Sequence, residues 1–358
     1  MRAYLSLDGI GTFPGRFLGW PGGCSGEAIR FRSPRFAPQI LTDPSFYRKI
    51  VIVETDMADD RWPMPEDCQS FMPHLSGLVI LGRIKPSYRE THFTLRNYLE
   101  CNRITGFVPD ESERLKGAFN MVWHAQAAVE RERQRSITLV ARRIERTDID
   151  LKAISSPQEY LWDLAGSDVP AENINLIVWD FGMNYSLMRA LKKLGCKLRV
   201  MPPDTEPERI IALHPDGVVI AGGPLDEKMM PAFASRLERI VGIRPLLGVG
   251  TGALLLARGV GARLEPLDNP HYGSAIEVEN AGGQIFTTYQ VHSVAPNRDE
   301  LQKAGAVITH INHVDGSVEA FAIPDYSTMG AMFPISIEPV PEYLTQFVTT
   351  LKSRIHQN

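Results

Sequence analysis

The chain has 358 residues, of which 44% are hydrophobic and 22% charged, with a formal net charge of -4. That length allows two domains with separate cores, and the near-balanced charge gives no support to a nucleic-acid or membrane-surface partner. Cys24, Cys68, Cys101 and Cys196 are scattered with no CxxC spacing, so neither a disulfide framework nor a zinc site is expected from them.

The N-terminus, MRAYLSLDGIGTF, lacks the basic segment followed by an apolar one that marks a signal peptide. No apolar run reaches the ~20 residues that span a bilayer. A cytoplasmic protein is expected.

The first part reads as strands and turns. AYLSLDGIGTFPGRFLGW has two alternating runs around Asp8-Gly9 and Gly11, which predicts a hairpin. KIVIVETD (Lys49–Asp56) and LSGLVILGRI (Leu75–Ile84) are β-branched runs suited to buried strands. THFTLRNYLECNR (Thr91–Arg103) has apolar spacing of three and four and predicts a helix capped by Thr91. MVWHAQAAVERERQ predicts another. The mixed-sign run ERERQRS (Glu130–Ser136) suits a solvated helix face.

From about Leu151 the texture loosens into Ser, Pro, Gly and Asp at turn spacing, which predicts a connector over 151–172. It would separate a domain over 1–150 from one over 173–358. Beyond it, strand and helix alternate: NLIVWDF, then NYSLMRALKKLG closed by Gly195, then CKLRVMP, EPERIIAL, DGVVIAGG, KMMPAFASRLERIVG, RPLLGVG and GALLLARGVG. That rhythm predicts a parallel sheet with crossover helices on its faces, hence an α/β fold behind a β-rich α/β N-terminal domain. Ligands of such sheets sit at the carboxyl ends of the strands. The glycine turns Ala221–Glu227 and Gly248–Gly252 end neighbouring strands there.

Gly248-Val249-Gly250-Thr251-Gly252-Ala253 satisfies the G-x-G-x-x-G/A dinucleotide fingerprint. The turn closes a late strand, however, and no strand ending in an acid follows some 20 residues on, so the fingerprint lacks its context. The same turn fits a nucleophile elbow, in which a Ser or Cys stands at the bend and small neighbours relieve the crowding. Gly248 and Gly252 are suitable neighbours, but the apex is Gly250, which has no side chain. His310 and His313, three apart, invite a metal reading that no accompanying acid in the sequence supports. Cys196, Met188, Met229 and Met230 fit core positions, and His292 fits a pocket wall.

The segments LDGIGTFPGRFLGWPG, ILTDPS (Ile40–Ser45), LSGLVILGRI, IVWDFGMNYSLMRALKKLGCKLRVMPPDT, HPDGVVIAGGPLDE, LLGVGTGALLLARGVGA, YQVHS and VITHINHVDGSVEAFAIPD occur in one order along the chain. In that order the chain resembles the small, glutamine-hydrolysing subunit of carbamoyl-phosphate synthetase, whose C-terminal domain is a class I glutamine amidotransferase. The resemblance implies that a catalytic Cys is replaced by Gly250 and a glutamine-contacting Gln by Leu254. It implies that the family's His-x-Glu pair falls at Ser336 and Glu338, so that Glu338 alone would orient an absent base. Val291, Ser293 and Val294 replace Asn, Gly and Phe beside the former glutamine. Gly223 is kept in the oxyanion turn, where Leu225 intrudes. Ser33 is the counterpart of a glutamine-binding Ser, in an alignment one residue short there.

The resemblance therefore implies surviving oxyanion amides at Gly223 and Thr251, a degenerate triad, and no glutamine hydrolysis. No cofactor or metal is implied. The partner it implies is a carbamoyl-phosphate synthetase large subunit or another ATP-grasp ligase, fed by free ammonia. An alternative, suggested by Leu225, Leu254, Val291 and Val294, is a pocket repurposed for a more apolar small molecule without a synthetase partner.

Overall fold

The computed structural model describes residues 1–33, 38–58, 63–85, 93–119, 124–131, 149–162, 174–224, 229–334 and 340–355. The chain divides into two compact units. The first comprises Met1–Asp148 together with Tyr272–Ala275; the second comprises Ile149–His271 and Ile276–Asn358.

In the first unit the expected hairpin forms from β1 (Arg2–Leu7) and β2 (Gly11–Gly19), with Leu5 opposite Phe13 and Leu7 opposite Gly11. β3 (Cys24–Phe31) pairs in parallel with β4 (Lys49–Val53), and β4 with β6 (Gly77–Ile80). β5 (Met57–Ala58) pairs with β7 (Ile84–Lys85) in a ribbon of their own. β8 (Thr105–Pro109) joins β6 to β2, and β9 (His124–Glu130) lies between β3 and β1, closing a seven-stranded barrel. Alternate residues along the strands, among them Leu5, Leu7, Ile50, Ile52, Val79 and Phe107, fill the interior.

Two expectations are corrected here. The helix α1 runs only over Leu95–Cys101, and its cap is Thr94, which forms a reciprocal capping box with Asn97. The proposed cap Thr91 lies outside the described residues. HAQAAVE forms strand β9, not a helix, because Ala127 and Val129 face the barrel interior and its backbone pairs with β1 and β3 on both sides. Arg131, just after it, is exposed, and 132–136 of the charged run lie outside the described residues. The short helix α2 (Ser112–Phe119) follows β8.

The second unit is built on a ten-stranded sheet flanked by helices. The segment read as a connector contains β10 (Tyr160–Trp162), an antiparallel edge strand on β12. It is anchored by Asp180, whose carboxylate accepts from Ser156 N at 2.7 Å. The alternating rhythm then holds: β11 (Ile174–Phe181), α3 (Tyr185–Lys193), β12 (Cys196–Met201), α4 (Pro207–Ala212), β13 (Gly217–Gly222), α5 (Met230–Glu238), β14 (Leu246–Gly250) and α6 (Thr251–Gly259). Asn184 caps α3 by accepting from Ser186 N, and Gly195 ends the turn after it at φ 86°.

The strand order 12-11-13-14 is parallel, as expected. The sheet does not stop there, and it is not wholly parallel. β15 (Leu264–Asn280), β16 (Ile285–Pro296), β17 (Val307–Asn312), β18 (Val318–Ile323) and β19 (Thr328–Ala331) extend it in the order 19-18-17-15-16. β19 is parallel to β14, while β18, β17 and β15 continue antiparallel. α7 (Arg298–Lys303) and α8 (Glu342–Ile355) complete the unit. Met188, Cys196 and Val219 are fully or almost fully buried in its core, Met230 is buried in α5, and Met229 is only half-buried. Among the described residues no helix is long and apolar enough to cross a membrane.

Candidate functional site

The bend between β14 and α6 is shaped by close approach of backbone to backbone. A β-carbon on Gly248 would stand 2.6 Å from Gly252 O, one on Gly222 would stand 2.2 Å from Gly252 N, and one on Gly252 would stand 1.9 Å from Ile220 O. Larger residues at these positions would force β13, β14 and α6 apart. Gly250 is a glycine for a different reason. Its backbone is at φ 59°, ψ -126°, a conformation that residues with side chains rarely adopt. Yet a β-carbon there would meet nothing nearer than Gly222 O at 3.7 Å. The elbow thus keeps a strained apex with room for a side chain and presents a hydrogen.

The carboxyl ends of β13 and β14 lie side by side, with Gly222 opposite Gly250. The two amides expected to form an oxyanion hole fare differently. Thr251 is the first residue of α6, where a backbone N–H has no partner inside the helix. Gly223 N, in contrast, donates to Phe181 O at 3.0 Å, so this amide is already engaged within the sheet. The surviving oxyanion pair expected from the sequence is reduced to one candidate.

Leu254, one turn into α6, is buried. α6 packs against β16, which carries Val291, Ser293 and Val294, all half-buried. Ser33 belongs to the first unit, where its hydroxyl lies 2.7 Å from that of Ser274. Leu225, Ser336 and Glu338 lie outside the described residues.

A polar cluster that the sequence did not announce lies among β15, β16 and β18. His271, His292 and Glu319 are 5%, 6% and 0% exposed. His271 Nδ1 is 2.8 Å from Glu319 Oε1, and its Nε2 is 2.9 Å from Asp315 Oδ2. His292 Nδ1 is 2.9 Å from Val294 O; its Nε2 is 2.9 Å from Gln290 Oε1 and 3.5 Å from Glu319 Oε2. Burial works against charge on His271, but Glu319 and Asp315 outweigh it and raise its pKa. Burial likewise disfavours the Glu319 carboxylate, and the charges and hydrogen bonds of His292 and His271 reverse this and lower its pKa. The one sequence signal was an acid inside the apolar run SVEAFAI, since a buried strand carries a carboxylate only where a partner awaits it.

His310 and His313 do not converge. His310 packs edge-on against Phe286 and Phe333, and burial holds its pKa down. His313 does have an acid beside it, contrary to expectation: Glu279 Oε2 is 3.0 Å from its Nδ1.

Residues 177–333 match the family model described as glutamine amidotransferase class-I. The second unit carries a class I glutamine amidotransferase-like domain. Over most of its length the chain is also similar to carbamoyl phosphate synthase small chains. That of Syntrophotalea carbinolica is 28% identical over 335 residues, 89% of this chain and 88% of the relative. That of Neisseria meningitidis serogroup B is 27% identical over 343 residues, 90% and 89% of the two chains. Among solved structures, the Trypanosoma brucei CTPS glutaminase domain with bound acivicin aligns with 51% of this chain and 94% of its own at 16% identity, with a TM-score of 0.39. The matched residues 177–333 include the bend at Gly250, the glycine turn beside it and the β16 segment, all on one α/β scaffold.

Proposed function

We propose that this chain is a small-chain-like subunit of a carbamoyl-phosphate-forming ligase that does not hydrolyse glutamine. It would serve as the non-catalytic partner of an ATP-using large subunit supplied with free ammonia. The observation that carries the reading is Gly250 at the apex of an intact elbow.

Hydrolysis of a carboxamide through a covalent intermediate needs a nucleophile at the carbonyl carbon, a base to take its proton and an acid to protonate the leaving ammonia. Gly250 supplies no nucleophile. Removing the nucleophile from such a unit lowers kcat on the order of 10⁶-fold. The preserved two-unit chain, similar along nine-tenths of its length to small chains, supports a retained docking role.

The test is to co-express the chain with an ATP-grasp large subunit and compare nitrogen donors in the purified complex. Carbamoyl phosphate formation with ammonium but not with glutamine is the expected result. Glutamine-supported synthesis at a comparable rate, or absence of any complex, would overturn the reading.

A further inference from the structure

We propose that His271, His292 and Glu319 form a binding site for one divalent transition-metal ion, of which zinc is the best fit. One ligand atom from each residue lies within 4.8 Å of the others, and all three side chains are buried.

The argument begins with the outer nitrogen of each ring. Asp315 Oδ2 lies against His271 Nε2, and Asp315 is itself fixed by Ser317 N, which donates to its Oδ1 at 2.9 Å. The carbonyl of Val294 lies against His292 Nδ1. Each acceptor can take a hydrogen bond from a protonated outer nitrogen, and in that tautomer the lone pair is left on the inner one. Imidazole held in this way by a carboxylate or carbonyl is the usual second layer of a metal site.

The inner nitrogens then face only acceptors. His271 Nδ1 looks at Glu319 Oε1; His292 Nε2 looks at Glu319 Oε2 and Gln290 Oε1. Glu319 Oε2 is buried and faces His292 Nε2 at 3.5 Å without good hydrogen-bond geometry. Gln290 is fully buried, and its amide nitrogen donates to Thr288 Oγ1 at 2.9 Å, which turns its oxygen toward His292.

Two arrangements satisfy so many acceptors. Either added protons meet them, which with both rings charged places two cations with ring centroids 4.9 Å apart in the interior, or one metal cation serves both rings. The second avoids the like-charge contact and gives the buried Oε2 a close partner. Zinc–nitrogen and zinc–oxygen bonds of about 2.0–2.2 Å in a tetrahedron place ligand atoms roughly 3.4 Å apart. The present separations lie on both sides of that value, so small side-chain shifts close the site. Two imidazoles favour zinc, nickel or copper over magnesium or calcium. Gln290 Oε1 or a water would be the fourth ligand. The ligands come from β15, β16 and β18, so the ion would pin these strands to one another.

The test uses the full chain with its affinity tag removed. The protein is stripped with a chelator, and zinc is titrated against a chromogenic competitor; cobalt is used for absorption spectra. One zinc per chain and a cobalt band of tetrahedral nitrogen–oxygen type are expected. Glu319→Gln should weaken zinc binding at least a hundredfold, Asp315→Asn about tenfold, and His313→Ala not at all. If E319Q does not fold, as judged by circular dichroism, the half-exposed D315N decides the matter. Unchanged affinity in a folded variant, stoichiometric binding lost only in H313A, a thiolate charge-transfer band, or no binding at all would overturn the proposal.

Discussion

Gly252 lies so close to Ile220 that a β-carbon on the glycine would stand 1.9 Å from the isoleucine carbonyl oxygen. Neither atom belongs to a movable side chain, so β13 and α6 must separate to admit even a methyl group. At Gly250 the same methyl group would find space and meet only the backbone strain of φ 59°. Gly250→Ala should therefore cost about 1–3 kcal/mol, while Gly252→Ala should cost at least twice as much as G250A. Denaturant midpoints of the two variants check the order; equal losses would contradict it.

Placing a thiol at the bend tests whether the scaffold alone suffices. Gly250→Cys is expected to fold and to react with iodoacetamide at a site that the parent chain lacks. It should still release no measurable ammonia from glutamine, because on the proposed reading Ser336 takes the place of the base. A variant with steady glutaminase turnover would show that another group supplies the proton transfer.

His74 makes the first unit sensitive to acid. It is buried, its Nε2 is 2.9 Å from Ser70 Oγ, and burial pushes its pKa down to about 4 from the ordinary 6.5. The folded state thus favours the neutral ring. Above pH 6.5 both states are neutral and the stability is fully present. As pH falls from 6.5 towards 4 the unfolded chain binds a proton that the folded chain refuses, and stability declines by at most about 3 kcal/mol. Urea midpoints between pH 7.5 and 4.5 should fall more steeply for the parent than for His74→Gln. Parallel curves would exclude this residue as a cause.

Asp180 ends β11 with its carboxylate accepting from Gly182 N at 2.8 Å, Met183 N at 2.7 Å and Ser156 N at 2.7 Å. Asp180→Ala leaves three N–H groups without that acceptor, each costing roughly 1 kcal/mol or more when buried. A loss of about 3–5 kcal/mol is expected, together with faster hydrogen exchange at Ser156. Asp180→Asn keeps one acceptor oxygen and should fall between the two. A change below 1 kcal/mol for the alanine variant would mean that water replaces the carboxylate.

The repeating strands and helices from Ile174 to Gly259 were legible because each period is local: a β-branched run, a turn, an amphipathic stretch. β9 was not, since Ala, Gln and Glu favour a helix until two neighbouring strands claim the backbone. The cap of α1 was misplaced by three residues because Thr91 and Thr94 offer the same chemistry, and only the bond to Asn97 distinguishes Thr94. The elbow could be read from its glycines, but the engagement of Gly223 N by Phe181 O could not, as it depends on how β11 meets β13. His271, His292 and Glu319 are far apart in the chain and meet only through the antiparallel half of the sheet, which the pattern after Leu264 did not foretell.

The seven strands of the barrel in the first unit form a ring in which every strand has two neighbours. Among the described residues, the barrel leaves no row of main-chain donors and acceptors along a border for a foreign strand to adopt. Any protein that recognises this barrel must therefore grip it by side chains and loops. Among the described residues, the amidotransferase-like sheet offers margins for strand-for-strand annexation at β10 and β16.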